Sequence, residues 1–237
     1  MSKHPRIQLA LGLLVTSALS LVAWTSFAER PKTVSEDAET VAMFNAIDNG
    51  QIEVKITVQD DQNARLVAQN LTDQPLTIEI PEAFAAVPIL AQNQGGGGGD
   101  GFINLAPEKF GSKKVGFICL EHGKPNPRSD MRYEVKPIET LTSDAKVIKL
   151  IGEHGAGRCS HAVAQAAAWH LQNGMSWEQL AAKQRKHLGG GSEPYFSAAQ
   201  LQLAARFVTH LETLISEQDA SESTSESSSG SIEFEQR

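Results

Sequence analysis

The chain has 237 residues, with 28 acidic side chains against 21 basic ones and a formal net charge of −7. An acidic chain without a basic tract is a poor nucleic-acid binder, because phosphate contacts need clustered lysine and arginine. Two cysteines exclude a disulfide-dense scaffold and a four-cysteine zinc module, while the length allows one or two domains with a real core.

Residues 1–28 read as a signal peptide. Lys3, His4 and Arg6 make a basic start, Ile7 to Trp24 carries no charge, and Ser26-Phe27-Ala28 places small residues at the cleavage positions. The expectation is a secreted or periplasmic chain beginning at Glu29, the competing reading being an uncleaved anchor. No later apolar run is long enough to span, so no stable membrane span is expected after cleavage. Residues 29–50 follow as a linker and short helix. Ser35 is its N-cap, Glu36, Asp37 and Glu39 are its first-turn acids, and Asn49-Gly50 ends it.

From Gln51 the period is two. Ile52, Val54, Ile56 and Val58 alternate with polar residues, Asp60 to Asn63 is a turn, and strands follow around 65–70 and 76–80. Residues 81–94 read as a buried loop or edge strand. Gly95 to Gly99 lack the flanking helix and the lysine of a phosphate cradle, and are expected to form a flexible surface loop. Phe102 to Phe110 is extended, and Lys113 to Leu120 and Met131 to Ile138 are strands. Residues 51–138 are therefore predicted to form an antiparallel, immunoglobulin-like β-sandwich domain, the overall class being α+β.

After Pro137 the pattern is helical. Thr142 or Ser143 caps a helix ended by Gly152, and Ser160 caps another ended by Asn173-Gly174. Ser176/Gln179 and Ser197/Gln200 are capping boxes. Residues 139–215 are predicted to be a small helical bundle. Lys183, Arg185, Lys186 and His187 make a basic cluster on one of its helices, either solvated or receiving the acidic tail. Residues 216–237 are serine-rich and acidic and are expected to be disordered, with Ile232 and Phe234 the only apolar pair for a docking motif.

Four readings compete at the cysteines. In an exported chain Cys119 and Cys159 are a possible disulfide. Two structural thiols are the second reading. Cys119-Leu-Glu-His122 and Cys159-Ser-His161 supply four zinc-type ligands, Cys119, His122, Cys159 and His161. A reactive thiol is the fourth, with Cys159 at a helix start and Cys119 as the alternative. Asn70-Leu71-Thr72 matches a glycosylation sequon.

The string Cys119-Leu-Glu-His-Gly-Lys-Pro125, with Val163 to Trp169 downstream, resembles an uncharacterised group of secreted bacterial proteins. These carry a β-sandwich followed by a helical segment. The second string is also similar, more distantly, to the Gln-Ala-Ala-Ile-Trp motif of bacterial thioester adhesion domains. That resemblance implies an internal thioester between Cys119 and Gln165 that captures an amine. Ala164 stands where that family has threonine, and Ala168 where it has isoleucine.

No cofactor loop and no convincing catalytic set appear. The expected function is a non-enzymatic exported binding or structural module for a protein or cell-envelope ligand, without a cofactor. Covalent adhesion or thiol chemistry at Cys119 is the alternative.

Overall fold

The computed structural model describes residues 38–89, 95–99, 101–187 and 189–229. The expected signal peptide, Ser35 with the expected linker, residues 90–94 and the Ile232/Phe234 pair lie outside the described residues.

The first described element is a strand, where the helix was expected to begin. β1 (Glu39–Ala42) runs directly into α1 (Met43–Asp48). Thr40 and Val41 are β-branched and pair in parallel with Thr77 and Ile78 of β4 (Leu76–Glu79), a sheet edge that outbids a helical turn there. The helix ends as expected, with Gly50 in the left-handed region at φ 66°. β2 (Ile52–Val58) and β3 (Asn63–Asn70) form the next hairpin. Its turn is set by the Asp60 carboxylate, which accepts from the Gln62 and Asn63 N–H groups at 2.8 Å each.

The remaining strands are β5 (Ala83–Pro88), β6 (Gly95–Gly98), β7 (Phe102–Leu105), β8 (Phe110–Cys119) and β9 (Tyr133–Pro137). They overturn the expected sandwich. Six strands close into an antiparallel barrel in the order β2-β3-β8-β6-β5-β9, and β1, β4 and β7 form a separate three-stranded sheet packed into the same core. β9 pairs along β5 and meets β2 at Tyr133 opposite Ile56, which completes the ring.

The missing member was the glycine run. Without side chains it shows no alternation, so it reads as a loop. In the structure Gly95–Gly98 is a buried strand between β5 and β8. A Cβ on Gly95 would stand 2.2 Å from the Phe117 ring, on Gly97 2.7 Å from Phe84, and on Gly96 2.7 Å from Ile151. Neighbouring side chains on both faces occupy the space that β6 side chains would need.

The helices do not form a separate bundle either. α2 (Ala145–Gly155), α3 (His161–Asn173) and α5 (Ala198–Ser229) share one apolar cluster with the outer face of the barrel. In that cluster Ala83, Ala85, Ile118 and Leu120 meet Val147, Ile151, Ala164 and Leu211. β5 is therefore buried on both faces, and a strand covered on both sides gives no clean alternation. Asp144, not Thr142 or Ser143, caps α2, accepting from the Lys146 N–H at 2.8 Å. The helix also passes through Gly152. Its glycines mark close packing, since a Cβ on Gly155 would lie 2.0 Å from the Gly98 carbonyl carbon.

Both capping boxes form, at Ser176/Gln179 ahead of α4 (Trp177–Ala182) and at Ser197/Gln200 ahead of α5. The basic cluster is not helical. Lys183 ends α4, and Arg185 and Lys186 lie in β10 (Gln184–Lys186), a hairpin strand facing β11 (Ser192–Pro194). The tail also departs from expectation, because α5 continues through Ser229. Once a helix is nucleated, each further residue fixes its dihedrals and gains one hydrogen bond, and Lys146 pairs with Glu212 while Lys149 reaches Gln218. No helix among the described residues is long and apolar enough to cross a membrane.

Candidate functional site

α3 carries His161, Gln165 and Trp169 four residues apart, and so on one face. That face meets the end of β8. The pairing of β3 with β8 stops at Asn63 opposite Gly116, while β8 runs on to Cys119. One more ladder bond is made, from the Phe117 N–H to the Gln62 carbonyl at 3.1 Å. Alternation along the strand then aims the N–H and C=O of Cys119 at an edge with no strand beside it.

Gln165 fills the vacant edge. The Cys119 N–H donates to Gln165 Oε1 at 3.0 Å, and Gln165 Nε2 donates to the Cys119 carbonyl at 2.7 Å. Cys119 is 5% exposed and Gln165 1%. The carboxamide satisfies both buried polar groups. It also sets its own carbonyl carbon beside the main chain of the residue whose thiol hangs from Cβ. The partners are 46 positions apart in sequence.

Two cavities flank this contact. The first, about 110 Å³, is lined by Cys119, Glu121, Trp169, Lys183 and Tyr195 among others. Lys183 Nζ sits 5.0 Å from the Trp169 ring and 5.2 Å from the Tyr195 ring. It lies 2.9 Å from His122 Nε2. An ammonium can only donate, so His122 accepts there as the neutral ring. Burial first, and the Lys183 charge second, hold His122 below its ordinary value. Burial also lowers Lys183. The second cavity, about 190 Å³, is lined by Asp61, His161, Gln165, Arg185, Tyr195 and Gln200, with others. Tyr195 is the wall between the two.

The cysteines are not joined; neither is in a disulfide. Burial, then the Glu153 carboxylate, pushes the Cys159 thiol up to about 12, the opposite of an activated thiol at a helix start. The four residues considered as zinc ligands do not converge. His122 is engaged by Lys183, whereas His161 bonds the Asp61 carbonyl at 2.9 Å and lies edge-on to His154. Among the described residues no group of three or more His, Cys, Asp or Glu side chains could hold a metal ion. The sequon asparagine is fully buried, and its amide donates to the Gln74 carbonyl at 2.7 Å, so it is not presented to a glycosylating enzyme.

Sequence reasoning missed Tyr195 and Asp61 and read Lys183 as surface charge. A signal was present for the first. Tyr195-Phe196 immediately precedes the N-cap Ser197, so Phe196 holds the position that staples onto Leu201, and both are buried.

The histidines between the barrel and α3 set a pH dependence. Burial holds His154 and His161 below the ordinary 6.5. Above about pH 6.5 both are neutral, folded or unfolded, and the stability they allow is fully present. Below it the unfolded chain takes up protons that the native chain refuses, so stability falls with pH, by about 1.4 kcal/mol per unit for each excess proton. Urea midpoints at pH 7.5 and 5.5 should therefore differ, and His154→Gln should narrow the gap. Equal midpoints would contradict the assignment.

No family model, no curated protein and no solved structure matches the chain.

Proposed function

We propose that the chain is an exported covalent capture module in which Cys119 and Gln165 join as an internal thioester that acylates an amine on a partner. The observation that carries this reading is the paired hydrogen bond of the Gln165 carboxamide to the main chain of Cys119 inside the barrel–helix seam. The resemblance of the Gln165 to Trp169 string to thioester adhesion domains supports it from the sequence side.

The chemistry follows from the contacts. The Cys119 N–H polarises the Gln165 carbonyl and is placed to receive the negative charge that grows on Oε1 as sulfur adds. The Sγ–Cδ bond forms, the Cδ–Nε2 bond breaks, and nitrogen leaves as ammonia with the thiol proton. No oxidant is needed. Capture reverses the roles: an amine forms a bond to Cδ, the bond to sulfur breaks, and the thiol is restored.

Intact mass of the full exported chain tests this. The expected mass is low by one ammonia, and methylamine should add to it while exposing one new thiol. Cys119→Ala and Gln165→Ala should each show the unreduced mass and no methylamine adduct. A wild-type chain at its unreduced mass would refute the thioester and leave a non-covalent binding module for a protein or cell-envelope ligand.

A further inference from the structure

The thioester reading leaves open how the amine is deprotonated as it attacks, and the second cavity supplies a group for it. We infer that His161 is the general base of amine capture, acting from the cavity on the acyl side of Gln165. This rests on the thioester reading and adds a catalytic residue to it.

Placement comes first. His161 precedes Gln165 by one helical turn, and both line the cavity of about 190 Å³. Cys119 lines the other cavity and not this one. An amine entering beside Gln165 thus approaches the acyl carbon from the side away from the departing sulfur. The cavity is polar, with Asp61, Arg185 and Gln200 around it, and so suits a hydrated amine rather than an apolar group.

The protonation state follows from the hydrogen bond. A backbone carbonyl only accepts, so the contact between His161 Nε2 and the Asp61 carbonyl at 2.9 Å puts the ring proton on Nε2. Nδ1 then carries the lone pair. His161 is also the first residue of α3, where the positive end of the helix disfavours an imidazolium. The groups around it act in both directions. Burial and His154 of α2 lower its affinity for a proton, while Asp61 and Asp60 of the β2–β3 turn raise it. Arg185 and Tyr195 face it across the cavity.

The step balances. As the amine nitrogen bonds to Gln165 Cδ, its proton passes to His161 Nδ1. The bond to Cys119 Sγ breaks, and the proton moves on to the thiolate, so the products are an amide at Gln165, a Cys119 thiol and a neutral His161.

The test uses methoxyamine, a weakly basic amine, with adduct formation followed by mass and each rate expressed per concentration of the uncharged amine. In the wild-type chain the rate should climb as pH rises toward 6.5 and flatten above it. His161→Gln should still lose its ammonia but capture methoxyamine about 10²- to 10³-fold more slowly, with no climb; added imidazole should restore part of the rate. Should the His161 variant misfold, the solvent deuterium isotope effect on wild-type capture decides alone, and a rate unchanged in heavy water would overturn the role. A variant that forms the thioester and reacts at the wild-type rate overturns it too. A wild-type chain at its unreduced mass is a different failure, that of the thioester itself, and takes this role with it.

Discussion

Gly155→Ala should destabilise the protein by about 3 kcal/mol or more, although alanine is the better helix former by about 1 kcal/mol. The new Cβ would lie 2.0 Å from the Gly98 carbonyl carbon, 2.3 Å from its oxygen and 2.4 Å from the Gly99 nitrogen. These are backbone atoms at the end of a strand paired on both sides and of the residue after it, so no rotamer change can make room. The helix must lift off, and the seam it covers includes Ile151 and Leu150, both buried. Gly152→Ala is the control within the same helix. Its Cβ would meet Glu82 at 3.3 Å, chiefly side-chain atoms that can give, and helix propensity should roughly cancel the crowding. Urea denaturation of the two variants side by side gives the answer. If Gly155→Ala is neutral or stabilising, α2 does not lie on the glycine strand.

Trp169→Ala should cost about 3–5 kcal/mol, the range for deleting a buried aromatic side chain. Trp169 is 6% exposed, with ring contacts to Tyr195 at 5.4 Å, Phe196 at 5.7 Å and His122 at 4.9 Å. It joins three separate stretches: α3, the turn after β8 and the segment leading into α5. Its loss opens the wall of the cavity beside Cys119 and removes an aromatic face from Lys183. Because the helices and the outer barrel face share one cluster, unfolding should stay a single transition with an unchanged denaturant slope. Two separated transitions, or a neutral result, would show that α3 and the barrel are independent.

The sequence was most informative where a rule is local. The strand at Ile52–Val58, the turn at Asp60, the left-handed Gly50 and Gly174 and both capping boxes need only neighbours within a few residues, and all are found. It was least informative where the deciding partner is distant. Whether the strands form two sheets or a ring depends on β9 reaching both β5 and β2, and no alternation pattern encodes that. Gly95–Gly98 is a strand because of Phe117, Phe84 and Ile151, not because of anything in its own side chains. β1 likewise exists because β4 offers an edge. At the site, Cys119 and Gln165 were singled out together only through a resemblance. Spacing alone could not reveal that β3 stops pairing opposite Gly116, three residues short of Cys119, and that a helix side chain completes the ladder. From sequence a Cys119–Cys159 disulfide is the stronger reading, since an exported chain permits it, but distance along the chain says nothing about where a barrel turns its edges.

The glycine strand has a property that no other strand here shares. When an ordinary strand slips by one residue, each side chain moves to the opposite face and the inward set is turned out to solvent. Five successive glycines supply four strand positions, and a slip by one would exchange identical residues that have nothing to invert. The alignment of β6 is therefore degenerate in its own chemistry and is dictated from outside, by the rings of Phe84 and Phe117 and by the helix backbone resting on Gly98. It behaves as a spacer whose phase is written in its neighbours.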